Sequence, residues 1–147
     1  MKRFKFSLQA LFNYKKTVEK TQKAELQIAQ QRLRELLAEE RRLEDAYDRN
    51  ERSLEKALRE NLDLATALSE HDAYFRYLRD ALKELRVRIA AAEEYKDECQ
   101  ARLLGTMKEI KTYTKLREEQ FAAYRKELQA EDDKEMGDIV SFNVISE

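Results

Sequence analysis

Along the first half of the chain one stripe advances by alternating steps of three and four residues: Leu26, Ala29, Leu33, Leu36, Glu40, Leu43, Tyr47, Asn50, Leu54, Ala57, Asn61, Leu64 and Leu68. Apart from Glu40, Asn50 and Asn61 these positions are apolar. A mean spacing of about 3.5 residues keeps one face of a helix turned towards a partner helix, which is the seam of a coiled coil. Upstream, Leu8, Leu11 and Val18 continue the stripe, with a phase slip near Gln22 to Leu26 that should relax the supercoil locally. The second half repeats the pattern through Phe75, Leu78, Leu82, Leu85, Ile89, Ala92, Lys96, Cys99, Leu103, Thr106, Ile110 and Tyr113. After another slip come Leu116, Phe121, Tyr124 and Leu128.

Two arms of near-equal length predict an all-α fold, a long antiparallel two-helix coiled-coil hairpin with a short flexible C-terminal tail. Folding the chain about residues 71–72 pairs Leu68 with Phe75, Leu64 with Leu78, Ala57 with Leu85, Leu54 with Ile89, Leu33 with Ile110 and Ala29 with Tyr113. Small residues then oppose large ones, as interdigitated packing favours. The same register sets Glu40 near Arg102, Asn50 opposite Ala92 and Cys99 opposite Leu43. Ser69, Glu70, His71 and Asp72 form a four-residue polar break, with Ser69 able to cap a helix, so the turn is expected near 69–73. The competing arrangement is one uninterrupted helix paired with another chain. The hairpin is expected over 1–135. The stretch IVSFNVISE leaves the helical pattern and is rich in β-branched residues, so 136–147 reads as a flexible or partner-dependent tail.

Composition supports this reading. Of the 147 residues 40% are charged, there is no Pro or Trp, and Gly occurs only at 105 and 137. A compact fold of this size needs more turn residues than that. Abundant Ala, Glu, Lys, Leu and Arg at helical spacing belongs to long helices. A net charge of −1 favours neither nucleic acid nor an anionic membrane. No apolar run reaches the roughly 20 residues that a membrane span needs. The basic start, MKRFKFSLQALFNYKK, lacks the apolar block of a secretory signal. A single cysteine, Cys99, permits no internal disulfide and agrees with a reducing compartment. The expectation is a cytoplasmic, soluble protein.

Candidate catalytic chemistry is sparse. His71 falls in the expected turn and reads as a solvated turn residue. Cys99 falls on the seam, where a small apolar role fits better than a nucleophile. Acids alternate with bases as on solvated helix faces. No phosphate loop, metal-ligand cluster or triad pattern is present, so the chain is expected to be no enzyme, with no catalytic residue, metal or cofactor.

The aromatic residues are more informative. They cluster as Phe4, Phe6, Phe12 and Tyr14 at one end, Tyr113, Phe121 and Tyr124 near the other end, and Tyr74, Phe75 and Tyr77 around the expected turn. Tyr74 and Tyr77 lie beside seam positions and should be partly exposed, and exposed Tyr and Phe are hot-spot material. Wide aromatics filling the splayed ends of a hairpin account for the same clustering. Charge is asymmetric as well: Lys2, Arg3, Lys5, Lys15 and Lys16 precede the first acid, while Glu131, Asp132, Asp133, Glu135 and Asp138 crowd the far end. A hairpin brings the two together, and each exposed pair contributes about 0.2–1 kcal/mol.

Three segments resemble the small flagellar export proteins of the FliJ type. The start MKRFKFSLQALFNYKKTVEK is similar to their basic Phe-x-Phe opening, YFRYLRDALKELRVRI to their segment after the turn, and YRKELQAEDDKEMGDIVSF to their charged C-terminal helix ending in Asp-Ile. Gly137 departs from the pattern, which usually carries a charged residue there. The resemblance implies a soluble component of the flagellar type III protein export apparatus, a stalk-like coiled coil similar to the central stalk of rotary ATPases. It implies as partners a hexameric export ATPase, the cytoplasmic domain of the membrane export gate, and export chaperones, at a cytoplasmic site peripheral to the inner membrane. Carried onto this chain, Phe4, Phe6, Leu8, Leu11, Phe12, Phe121, Tyr124 and Leu128 would bind the ATPase ring, and Tyr47, Tyr74, Leu78 and Ala81 the export gate. An equivalent stalk of a virulence type III secretion system, or a coiled-coil scaffold or holdase without an ATPase partner, is the alternative; a small enzyme or nucleic-acid binder is remote.

Overall fold

A computed structural model describes residues 2–60 and 63–146, without the side chain of Ser146. Its elements are two helices, α1 (Gln9–Arg59, 51 residues) and α2 (Leu64–Ser146, 83 residues). Ahead of α1, residues 2–6 form neither helix nor strand. By packing the chain divides into two units, residues 1–21 with 103–147, and residues 22–102. Within each, a stretch of α1 runs antiparallel to a stretch of α2.

In the unit of residues 22–102 the core follows the sequence stripe except at Ala46, which lies off the stripe and is buried while its stripe neighbour Tyr47 is only half-buried. Leu33, Leu36, Leu43 and Ala46 of α1 are buried against Leu78, Leu82, Leu85 and Ile89 of α2, with Tyr47, Ala81 and Ala92 packed at the margin. Full burial of a Leu or Ile side chain stabilises by about 1.5–3 kcal/mol, so these few layers hold the unit together. Ala29 and Cys99 are also buried.

The turn lies earlier than expected. α1 ends at Arg59 and α2 starts at Leu64, whereas the midpoint folding put the turn near 69–73. Asp63 makes the new start: its Oδ2 accepts from the Thr66 hydroxyl at 2.7 Å, its Oδ1 lies 3.5 Å from the Thr66 amide, and its carbonyl accepts the Ala67 amide at 3.0 Å. Thr66 holds the Asp63 carboxyl below its ordinary range, first through the hydroxyl and then through the amide. Lys56 and Arg59 in the last turn of α1 complement its C-terminal dipole. The polar residues 69–72 form a helix surface instead. Asp72 pairs with Arg76 at 2.8 Å, and His71 is held inside the hairpin rather than solvated in a turn.

The register moves with the turn. Tyr47 meets Phe75, where Leu68 was expected, and Glu40 pairs with Arg86 at 3.3 Å rather than with Arg102. Asn50 donates to the His71 carbonyl at 3.1 Å rather than facing Ala92. Leu43 lies beside Ala81 and Leu85, not Cys99. Leu64 and Leu68 open α2 and remain largely exposed instead of closing the first arm. Asn61, also placed on the first stripe, lies outside the described residues.

In the unit of residues 1–21 with 103–147, Leu103, Thr106 and Ile110 are buried, and so is Phe6, just ahead of α1. Lys15 pairs with Glu109 at 2.6 Å, and this hydrogen bond raises the Lys15 pKa. The stripe on α2 then continues through Tyr113, Leu116, Gln120, Tyr124 and Leu128, all half-buried. Gln120 thus takes the place expected for Phe121. Segment 136–147, read from sequence as a tail, is helical as far as Ser146, and every residue from Gln129 to Ile145 is exposed.

Candidate functional site

Two aromatic surfaces stand out, one in each unit. In the unit of residues 22–102 the first is built near the turn. The Tyr47 ring of α1 lies 4.7 Å from Phe75 of α2, tilted by 55°, and both are half-buried. Tyr74, next to Phe75 on α2, stacks on Tyr77 at 6.2 Å with 19° between the planes. These two rings are 43% and 63% exposed. Arg42 of α1 reaches the same surface; Glu39 chiefly raises its pKa through a side-chain hydrogen bond, and the two tyrosines add to that. Leu78 is 1% exposed and Ala81 half-buried. Of the four gate residues expected, Tyr74 therefore offers open surface, Tyr47 and Ala81 offer edges, and Leu78 supports them from within.

Beside this surface sits a polar knot. A carbonyl only accepts, so the 2.7 Å contact from His71 Nδ1 to the Ala67 oxygen places the proton on Nδ1. In the neutral ring Nε2 then accepts from the Ser53 hydroxyl at 3.3 Å. With the Asn50 bond to the His71 carbonyl, this knot ties α1 to α2 at one register.

The second surface belongs to the unit of residues 1–21 with 103–147. Burial alternates along the segment ahead of α1. Phe4 and Phe6 accordingly face inward while Arg3 and Lys5 are exposed. Phe4 meets Phe121 edge-on at 5.0 Å and Tyr124 at 5.6 Å. Phe6 meets Phe12 at 6.4 Å, and Lys16 lies over the Phe12 ring. The Tyr124 hydroxyl donates to the Lys2 carbonyl at 2.6 Å, and Gln120 bonds Ser7 at 3.2 Å. Leu8, Phe12, Tyr124 and Leu128 are half-buried, Leu11 is 40% exposed and Phe121 43%. The eight ring-binding residues expected thus fall in one unit, with Phe12 rather than Leu11 facing inward. Gln120 and Ser7 were missed, since neither polar residue marks itself in an apolar pattern.

Among the described residues no group of three or more His, Cys, Asp or Glu side chains could hold a metal ion. Cys99 is buried against the hydrogen-bonding side chains of Arg102, at 3.7 Å, and Tyr95, whose pKa it raises. No helix among the described residues is long and apolar enough to cross a membrane.

A helical hairpin carrying aromatic surfaces defines a class of coiled-coil interaction protein. The family model described as Flagellar FliJ protein matches residues 4–147, so the chain belongs to the FliJ family and is a non-catalytic component of the flagellar-type export apparatus. No curated protein and no solved structure matches it.

Proposed function

We propose that the chain is the stalk of the flagellar export machine: one end enters a hexameric export ATPase and promotes its assembly and activity, and the region near the turn engages the cytoplasmic domain of the membrane export gate. Export chaperones are further partners, and the site of action is the cytoplasmic face of the inner membrane.

The observation that carries this reading is a pair of ring clusters within one unit, Phe4 with Phe121 and Tyr124, and Phe6 with Phe12. Aromatic rings bring large contact area at low entropic cost, which suits a surface that seats in a protein ring. Leu8, Leu11 and Leu128 flank it. The stacked, exposed Tyr74 and Tyr77 beside Arg42 support the second contact, with Tyr47, Leu78 and Ala81 shaping its base.

The test is to add the purified chain to the export ATPase and follow hexamer formation and ATP hydrolysis. Stimulation that disappears on deleting residues 1–12 is expected. Undiminished stimulation by the deleted chain removes the ring assignment.

A further inference from the structure

We infer that residues 2–5 form a latch over a peptide-binding slot on α2, and that the slot's occupant in the working complex is a basic-aromatic segment of a partner protein. This rests on reading the unit of residues 1–21 with 103–147 as a partner-binding end. The identity of the partner is left to chemistry: one aromatic side chain, flanked by lysine or arginine.

The latch itself displays what the slot selects. Phe4 packs against the stacked pair of Phe121 and Tyr124, with ring centroids at 5.0 and 5.6 Å. The Tyr124 hydroxyl reads the backbone through the Lys2 carbonyl. Lys2, Arg3 and Lys5 run along a groove of 420 Å³ whose opposite rim carries Glu127 and Glu131 of α2. The slot therefore has an aromatic seat, a donor aimed at a carbonyl, and acids complementary to a cationic segment.

The two halves of the Phe-x-Phe segment are held differently. Phe6 is 7% exposed, packs on Phe12, and its carbonyl accepts the Gln9 amide at 3.1 Å as α1 begins. Phe4 is only half-buried, and its neighbours Lys2, Arg3 and Lys5 are exposed. Phe6 thus belongs to the fold, whereas residues 2–5 hang from one ring and one hydroxyl bond. Segments with few buried contacts open first, so the pivot falls at Lys5. A released latch leaves Phe121 and Tyr124 uncovered for a competing segment.

The experiment uses the full chain and a fluorescein-labelled synthetic peptide, Lys-Arg-Phe-Lys-Phe, read by fluorescence anisotropy. Phe4→Ala unseats the latch and should bind the peptide at least tenfold more tightly than the unaltered chain. Adding Phe121→Ala to that variant should return binding to the background, as should replacing the first phenylalanine of the peptide by alanine. Equal binding to the unaltered chain and to Phe4→Ala, or binding indifferent to Phe121→Ala, overturns the inference. A second readout needs no variant: excess unlabelled peptide should speed hydrogen exchange at the amides of residues 3–5 of the unaltered chain several-fold, and an unchanged rate overturns the latch. Light scattering that shows dimers lost in Phe4→Ala would assign the slot to a second copy and overturn the partner reading. No ATPase is present in these assays, so their failure leaves the stalk reading standing, and failure of ring stimulation leaves the latch standing.

Discussion

The Tyr47 ring lies 4.7 Å from Phe75, and that one contact states the register of α1 against α2 near the turn. Folding about the midpoint of the chain would have put Leu68 against Phe75. Aromatic pairs contribute about 0.5–1.5 kcal/mol beyond their area. A double-mutant cycle of Tyr47→Leu and Phe75→Leu, followed by urea unfolding, should show coupling in that range. Independent, additive effects would mean that the rings do not meet.

Tyr74 and Leu78 should separate surface from core. Leu78 is 1% exposed, and truncating a buried Leu costs about 2–5 kcal/mol, so Leu78→Ala should lower the urea midpoint strongly. Tyr74 is 43% exposed, and Tyr74→Ala should change stability by about 0.5 kcal/mol or less. On the proposed function the same Tyr74→Ala chain should bind the cytoplasmic domain of the export gate less well in a pull-down. Full retention of that binding argues against a gate contact at this surface.

Asp63 should make the start of α2 sensitive to acid. Thr66 holds its carboxyl below the ordinary value of 3.8, so the folded state binds the proton less readily than the unfolded one. The stabilisation is complete above that value and is lost as pH falls below it through the folded pKa. Asp63→Asn keeps an acceptor for the cap but cannot titrate. Thermal unfolding of the unaltered chain should therefore lose a part of its stability as pH falls below 3.8 that the Asn variant does not lose.

Gly105 lies within α2, and a Cβ there would meet no atom within 4 Å. Helix propensity then acts without a packing penalty. Gly105→Ala should stabilise by about 0.5–1 kcal/mol in urea unfolding. A destabilised variant would show that this position is not plain helix.

The C-terminal stretch of α2 should be the first to open. All residues from Gln129 to Ile145 are exposed, so its helical turns gain little from tertiary burial, and Val, Ile, Phe and Ser near its end are weak helix formers. Limited trypsin treatment should cut after Lys134 well before it cuts within residues 22–102. Simultaneous cutting in both places would contradict this order.

The class of fold was legible because a stripe of threes and fours determines which face of a helix is buried whatever lies opposite. Leu78, Leu82, Leu85, Ile89, Cys99, Leu103 and Ile110 all take the buried positions that their spacing predicts. Family likeness was legible for a related reason, since the Phe-x-Phe opening and the charged C-terminal helix are local runs of residues. The latch was half legible: alternation predicts that Phe4 and Phe6 share a face, but not that Tyr124 and Gln120 reach back to hold the segment.

Register and turn were left to the tertiary structure. Sliding one helix past the other by whole heptads returns seam residues to seam positions, so a periodic stripe scarcely distinguishes one pairing from the next. Directional contacts do distinguish them. The Asp63 cap on Thr66 sets where α2 begins, and the Asn50 bond to the His71 carbonyl and the Arg86 pairs with Glu40 and Glu44 each exist at one register of α1 against α2 and no other. The apolar period by itself therefore determined that two helices pair and which faces meet, while polar groups that need a particular partner at hydrogen-bonding distance decided where along their length they do so.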